Sequence, residues 1–383
     1  MIYKEFGNTG KMVSALGFGG MRFPMRDIGE KKIVDYDKAV PLLQRAFALG
    51  VNYVDSAPYY CHSDSEVAIG KALKGWRDKV YVSTKNPIKN DSADDFRARL
   101  EHSLTQLDTD YIDFYHLWGI SLESFRTKID VPNGPISAAM KALDEGLIHH
   151  LSFSFHDKPE NMIPIIDSGY FSSVLCQYNL LDRENEASIA YAKSKGLGTV
   201  IMGPVGGGRL GMPSEKIRKM LGRELASTAE MALRFVLANP HVNTALSGME
   251  TIEMLEENAK VASIEGPLTA DELNRVDAML TENARLAELY CTGCKYCLPC
   301  PQGINIPLVF SYMNIHRVYG ITDHARSEYA PLCKPMDERT ENWQKELGVD
   351  ASHCIECGQC ESKCPQHLQI IQQLKETHAA IGQ

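Results

Sequence analysis

The chain has 383 residues, more than one compact core of ordinary size needs, but a suitable length for a barrel of about 250 residues followed by a smaller module. Hydrophobic residues make up 44% of the chain, and no apolar run approaches the roughly 18 residues of a membrane span. The net charge of −9 does not indicate a nucleic-acid-binding surface. The N-terminus lacks the basic segment followed by an apolar segment that is typical of a signal peptide. We therefore expect a cytoplasmic protein that binds neither nucleic acid nor membrane.

The first part of the chain alternates short apolar runs with amphipathic stretches. Residues 3–6 and 11–14 flank Gly-Asn-Thr-Gly and predict an N-terminal hairpin, a candidate lid on the N-terminal end of the barrel. Eight strands are predicted after it, at residues 13–19, 51–55, 80–84, 112–116, 148–153, 174–177, 198–202 and 244–247. Strands that alternate with helices pair in parallel, so eight of them predict an α/β fold with a closed (β/α)₈ TIM barrel. The periodicity alone is also compatible with an open, doubly wound sheet.

The pattern changes in the last third of the chain. Residues 269–272, Thr-Ala-Asp-Glu, form a capping box that opens a helix, and the sequence beyond it is helical or irregular and rich in cysteine. We predict a barrel over residues 1–285 and a small, mostly helical, ferredoxin-like domain over residues 286–383.

The cysteines are strongly clustered. Of 11 cysteines, nine lie between Cys291 and Cys364, mostly with two-residue spacers. In a chain without a leader pattern, such spacing favours metal ligands over disulfides. Eight of the nine form two regularly spaced runs. Cys333 lies between those runs, Cys61 and Cys176 lie in the predicted barrel, and all three are interpreted as ordinary thiols.

Two runs of cysteine, each followed by proline, predict two [4Fe–4S] clusters. The first has the spacing C-x₂-C-x₂-C-x₂-C and consists of Cys291, Cys294, Cys297 and Cys300. The second has the spacing C-x₂-C-x₂-C-x₃-C of bacterial ferredoxins and consists of Cys354, Cys357, Cys360 and Cys364. By analogy with those ferredoxins, the last cysteine of each run would serve the other cluster, so Cys364 joins the first three and Cys300 joins the second three. Two structural zinc sites are the alternative for eight cysteines.

Polar residues follow the predicted barrel strands, where the active sites of such barrels lie. Asp55 ends the second strand and Tyr60 follows five residues later, Lys85 directly follows the third, and His116 ends the fourth. The segments at 55–60, 65–73, 84–85 and 113–116 resemble the aldo-keto reductases, and the resemblance covers roughly residues 1–260. The tail resembles the subgroup of that family that carries a C-terminal cluster domain.

The resemblance implies carbonyl reduction by a tetrad. Tyr60 would protonate the carbonyl oxygen as hydride reaches the carbon, and the Lys85 ammonium would lower the pKa of the Tyr60 phenol. Asp55 would hold Lys85, and His116 would orient or polarise the carbonyl.

The resemblance also implies a dinucleotide site, at Ser154, Gln177 and the glycines Gly206, Gly207 and Gly208. Three residues depart from the family pattern: Phe155 replaces the usual Asn, for which His156 could substitute, Met202 replaces a stacking aromatic residue, and residues 247–254 hold two glutamates and no cation. The missing cation gives no support for NADPH specificity. A [4Fe–4S] cluster passes single electrons whereas nicotinamide carries hydride, so FMN is a further candidate beside NAD(P)H.

The sequence therefore predicts an iron–sulfur oxidoreductase that reduces a small carbonyl or related unsaturated compound, with the clusters relaying electrons. Ferredoxin or another redox protein is the expected partner. Three alternatives stay open: an FMN-dependent reductase fed by the clusters, an NAD(P)H-dependent reductase with structural clusters, and an electron-transfer protein with a scaffold barrel.

Overall fold

The computed structural model describes residues 1–29, 31–88, 92–288, 291, 295–339, 341, 344, 346–364 and 367–382. The chain divides into two compact units. The first consists of Met1–Gly207 and Ala232–Leu268, and the second of Gly208–Met231 and Thr269–Gln383.

The first unit is a closed parallel barrel of eight strands, as predicted, preceded by a hairpin of strands β1 (Tyr3–Glu5) and β2 (Met12–Ser14). The barrel strands are β3 (Leu16–Gly19), β6 (Tyr53–Asp55), β7 (Tyr81–Pro87), β8 (Ile112–Ile120), β9 (Ile148–Phe155), β10 (Ser173–Gln177), β11 (Gly198–Met202) and β12 (Thr244–Ser247). The open-sheet alternative is therefore wrong.

A second hairpin, of β4 (Met25–Ile28) and β5 (Lys31–Val34), follows the first barrel strand and was not predicted. Half of its residues are charged, and it lacks the alternation of apolar residues that marks a half-buried strand. Gly29, which has a φ of +60°, supplies the left-handed turn between the two strands.

The N-terminal hairpin packs at the N-terminal end of the barrel. Phe6 is fully buried, and its ring lies 4.8 Å from that of Phe114 and 5.8 Å from that of Tyr53. A Cβ atom at Gly198, the first residue of β11, would lie 2.6 Å from the Phe6 ring. Phe6 therefore fills the end of the barrel opposite the strand ends that carry the polar residues.

Helices surround the barrel strands and make up most of the second unit. The helices of eight or more residues are Tyr36–Ala48, Ser65–Ala72, Ala93–Leu107, Pro135–Asp144, Glu186–Ser194, Thr228–Ala238, Ile252–Val261, Ala270–Glu288, Ile306–Arg317, Thr322–Tyr329 and Ile370–Ile381. Shorter ones are Leu122–Ser124, Met162–Ile166, Glu215–Arg218 and Gln359–Ser362. In the described parts of the chain, no helix is both long and apolar enough to cross a membrane.

The second unit includes a segment from the middle of the sequence, Gly208–Met231, which continues from the glycines after β11. Lys216 Nζ donates hydrogen bonds to the carbonyl oxygens of Arg317 (2.9 Å) and Val318 (3.2 Å). Ser214 Oγ donates to the carbonyl oxygen of Tyr319 at 2.8 Å. These contacts fasten the segment to the end of the helix Ile306–Arg317.

Candidate active site and cysteine cavity

A buried ion pair lies where β6 and β7 run side by side. Lys85 is 2% exposed, and its Nζ donates to Asp55 Oδ2 at 2.5 Å and to the carbonyl oxygen of Ser56 at 2.6 Å. Ser83 Oγ donates to Asp55 Oδ1 at 2.8 Å. Strand β7 continues to Pro87, so Lys85 lies within the strand and not after it as predicted. The strand backbone therefore fixes where the ammonium points.

The opposite charges of Lys85 and Asp55 stabilise each other. Burial alone lowers the pKa of Lys85, but the Asp55 carboxylate and the Tyr60 phenol outweigh it and raise that pKa above its ordinary value. Lys85 is therefore an ammonium at neutral pH. Removing either partner of such a buried pair typically destabilises a protein by about 3–5 kcal/mol, because the other charge is left uncompensated.

Tyr60 lies beside this ammonium. Lys85 Nζ is 4.8 Å from the centre of the Tyr60 ring, and the ring packs edge-on against Trp118 at 5.8 Å. Burial raises the pKa of Tyr60, and Lys85 lowers it only in part. Lys85 therefore acts in the predicted direction, but the net pKa of the phenol lies above its ordinary value.

The three residues after Tyr60 form a turn with unusual backbone angles. Cys61, His62 and Ser63 have φ values of 52°, 56° and 68°, in the left-handed region that residues other than glycine rarely adopt. Each such residue costs on the order of 1 kcal/mol, and backbone strain of this kind concentrates at functional sites. The turn and the ion pair together hold Tyr60 at the mouth of the barrel.

His116 lies within β8, paired in register with Lys85 on β7. Its side chain is fully buried, and neither ring nitrogen has a hydrogen-bond partner in the described part of the chain. Burial and the Lys85 charge lower its pKa to about 3, only partly opposed by the nearby backbone of Phe153, so the imidazole is neutral. A buried imidazole with both nitrogens unpaired is costly, and a substrate oxygen would satisfy its N–H.

The predicted dinucleotide residues lie at the same end of the barrel as the tetrad. Ser154 lies near the end of β9, where its Oγ accepts a hydrogen bond from the Gly119 N–H at 2.7 Å. Gln177 ends β10, and its amide lies against Gly203, where a Cβ atom would be 2.5 Å from Gln177 Oε1. The run Gly206–Gly208 follows β11 with φ values of 60°, 67° and 98°, which only glycine adopts readily. This arrangement fits a nucleotide whose phosphates approach the glycine backbone.

One cation near this loop was missed from the sequence. Arg22, from the loop after β3, donates through Nη2 to the carbonyl oxygen of Gly207 at 2.7 Å, and its side chain lies 3.3 Å from an ideal Cβ at Gly248. The family resemblance placed the phosphate-binding cations at residues 247–254, which hold none. Barrel closure brings β3 next to β12, so Arg22 lies beside that segment from the opposite end of the unit's sequence.

Five cysteines of the second unit line one cavity. Cys300, Cys354, Cys357 and Cys360 line it together with Cys297. These include the four residues that the crossed pairing assigns to one cluster. Four thiols facing one space are the donor set of a [4Fe–4S] cluster. Cys291 and Cys364 pack against the hydrophobic core of the second unit, as do Cys300, Cys354 and Cys360. Cys294 lies outside the described residues.

Apolar side chains next to the cavity are open to solvent. Tyr296 is 66% exposed and Ile355 is 61% exposed, and each is adjacent in sequence to a cysteine that lines the cavity.

The barrel, the site at its strand ends and the cysteine cavity define an oxidoreductase joined to an iron–sulfur domain. The sequence profile of the aldo/keto reductase family matches residues 15–281, and that of a 4Fe-4S dicluster domain matches residues 290–369. The chain belongs to the aldo/keto reductase family and carries a C-terminal 4Fe-4S dicluster domain.

Individual relatives agree with this assignment. L-galactose dehydrogenase of Arabidopsis thaliana is 28% identical over 305 residues, which cover 72% of this chain and 93% of that protein. The holo form of aldo-keto reductase AKR11C1 from Bacillus halodurans is similar with a TM-score of 0.63 and 26% identity, covering 73% of this chain and 96% of that one. The thermostable aldo-keto reductase Tm1743, solved with the inhibitor epalrestat, is similar with a TM-score of 0.59 and 29% identity, covering 73% and 99%.

Proposed function

We propose that this protein reduces the carbonyl group of a small molecule with hydride from a nicotinamide cofactor, which leaves in its oxidised form. We further propose that the two [4Fe–4S] clusters pass single electrons to or from a redox partner such as ferredoxin, in a step separate from the hydride transfer. The observation that carries the first part is the array of Asp55, Lys85 and Tyr60 beside the unpaired imidazole of His116. A barrel that served only as a scaffold would have no use for a buried ammonium, a strained turn and an unpaired imidazole in one place.

Each residue of the tetrad has a separate role in the reduction. The neutral His116 donates a hydrogen bond to the carbonyl oxygen and orients it. Tyr60, protonated at neutral pH, gives its proton to that oxygen as negative charge develops there. Lys85 stabilises the phenolate that results, and Asp55 keeps Lys85 in position.

The cofactor proposal depends on the polar groups around the barrel mouth. When bound, a nicotinamide cofactor supplies the hydride for this reaction. Ser154 and Gln177 would hold its ring end, and the backbone of Gly206–Gly208 with Arg22 would hold its phosphates. A nicotinamide is proposed and not FMN, because hydride delivered to the carbonyl carbon matches proton transfer from Tyr60 to the carbonyl oxygen.

The relay proposal is supported by the surface beside the cysteine cavity. The exposed side chains of Tyr296 and Ile355 give a redox protein an apolar contact close to the cysteines.

Isotope transfer tests how hydrogen reaches the carbon. We expect cluster-replete protein, supplied with NADH or NADPH deuterated at the transferable position, to place deuterium on the carbinol carbon of an aldehyde substrate. Mass spectrometry of the alcohol provides the measurement. Solvent hydrogen at that carbon would contradict direct hydride transfer, because electrons from the clusters or a flavin arrive without the labelled atom.

The pH dependence follows from the state of Tyr60. Reduction needs the protonated phenol, so it is fully active below the pKa of Tyr60 and is lost as pH rises through that pKa. Because that pKa lies above its ordinary value of about 10, kcat for reduction is expected to fall only above about pH 10. Oxidation of the alcohol needs the phenolate and should rise over the same range. A loss of reduction near pH 7 in the kcat profile would contradict this assignment.

A further inference from the structure

A second set of potential metal ligands lies in the cluster-bearing unit, apart from the two cysteine runs. Cys333 ends the short helix Ala330–Cys333, Asp350 precedes the helix Ala351–His353, and His378 lies in the helix Ile370–Ile381. The Sγ atom, a carboxylate oxygen and an imidazole nitrogen of these residues all lie within 4.8 Å of one another. Three separate elements thus bring a thiol, a carboxylate and an imidazole together.

The spacing suits a small cation. Because the three ligand atoms are at most 4.8 Å apart, an ion placed between them would lie no more than about 2.8 Å from each atom. Bonds from zinc to sulfur, nitrogen and oxygen ligands are about 2.0–2.3 Å long, so shifts of less than about 1 Å would complete the coordination.

Asp350 is the centre of the set. Its side chain is 5% exposed, and Oδ1 lies 3.3 Å from Nδ1 of His378. Oδ2 lies 3.3 Å from Nδ1 of His353, and Oδ1 also accepts a hydrogen bond from the Ser352 N–H at 2.7 Å. The helix cap accounts for one of these contacts but not for the convergence of Cys333 and His378 on the same carboxylate.

The absence of a side chain at Gly382 leaves space beside the imidazole of His378. A Cβ atom at Gly382 would lie 2.6 Å from Nδ1 of His378, so any residue other than glycine would crowd this nitrogen. The Tyr329 hydroxyl lies 3.3 Å from the same nitrogen and accepts a hydrogen bond from the Ala351 N–H at 2.8 Å.

We propose that Cys333, Asp350 and His378 bind one zinc ion, with water in the fourth position. A mixed set of sulfur, nitrogen and oxygen donors suits zinc, whereas magnesium and calcium prefer oxygen alone. One thiolate and one carboxylate balance the charge of the ion. The ion would fasten the C-terminal helix to the segment that leads into the second cysteine run, since Asp350 lies shortly before Cys354. The interpretation of Cys333 as an ordinary thiol is revised accordingly.

Zinc binding to the full-length, cluster-replete protein tests this proposal. We would titrate Zn²⁺ anaerobically against a competing chelator and measure zinc and iron per chain. We expect one zinc beyond the full iron content, and the variants Cys333→Ser and His378→Gln should bind it at least about a hundredfold more weakly while keeping their iron. Cys61→Ser and His102→Gln, which change a thiol and an exposed imidazole in the barrel, are matched controls and should bind it normally.

X-ray absorption at the zinc edge of the unmodified protein does not depend on how the variants fold. It should show one sulfur neighbour and the rest nitrogen or oxygen. Several sulfur neighbours, or zinc that enters only as iron is lost, would mean that zinc replaces iron at the cluster cysteines, and the proposal would be overturned. Full zinc binding by a Cys333→Ser/His378→Gln double variant would overturn it as well.

Discussion

Substitution of Tyr60 by Phe is expected to lower kcat for carbonyl reduction by about 10²–10⁴-fold, the usual contribution of a positioned general acid. The change removes only the hydroxyl group, so the ring keeps its edge-on contact with Trp118 and its position 4.8 Å from Lys85 Nζ. KM should therefore change little. The measurement is anaerobic steady-state kinetics with NADH or NADPH and an aldehyde.

The adjacent residue provides a matched control. Tyr59 is 50% exposed and also packs against Trp118, with ring centres 5.6 Å apart, but it lies outside the tetrad. Tyr59→Phe should keep kcat within a few-fold of the unmodified protein. Both variants should retain the same iron content and cluster absorption. A Tyr60→Phe protein with more than a tenth of the normal kcat would exclude Tyr60 as the proton donor.

The barrel could be predicted because two periodicities are visible in the sequence. Buried parallel strands appear as continuous apolar runs, and amphipathic helices separate them. The order of the strands then follows from the parallel topology, which places Asp55, Tyr60, Lys85 and His116 at neighbouring strand ends. The ends of β7 and β8 were predicted too early, because polar residues such as Lys85 and Asn86 look like a loop although they are buried inside the barrel.

Other features depend on contacts that no local pattern reveals. Arg22 and Gly207 are far apart in sequence and meet only because the barrel closes. The pKa of Tyr60 results from a competition between burial and the Lys85 charge, and residue spacing gives the sign of each effect but not which is larger. Cys333, Asp350 and His378 have no spacing motif, so their convergence becomes visible only in the folded chain.

The middle segment Gly208–Met231 affects how the clusters should be studied. Its residues Ser214 and Lys216 donate hydrogen bonds to carbonyl oxygens at the end of the helix Ile306–Arg317. Removal of residues 286–383 would therefore leave this segment without its partners, and lost activity would not show a role for the clusters. Single substitutions of cysteine separate the two effects.

Substitution of Cys300 by Ser is expected to damage the same cluster as substitution of Cys354 by Ser. Both residues line one cavity although they belong to different cysteine runs, and the crossed pairing assigns them to one cluster. Cys291→Ser should damage the other cluster. Each variant should lose up to about half of the roughly eight iron atoms that two [4Fe–4S] clusters contain.

Electron paramagnetic resonance of the dithionite-reduced protein, combined with a redox titration, identifies which cluster survives in each variant. The signal and midpoint potential that remain in Cys300→Ser should equal those in Cys354→Ser and differ from those in Cys291→Ser. Cys61→Ser, outside both runs, should retain both signals and all iron. If the signal left in Cys300→Ser instead matches that of Cys291→Ser, each run holds its own cluster. Cys300 would then line the cavity without binding the cluster inside it, because a thiol can lie at a cavity wall and still ligate a different cluster.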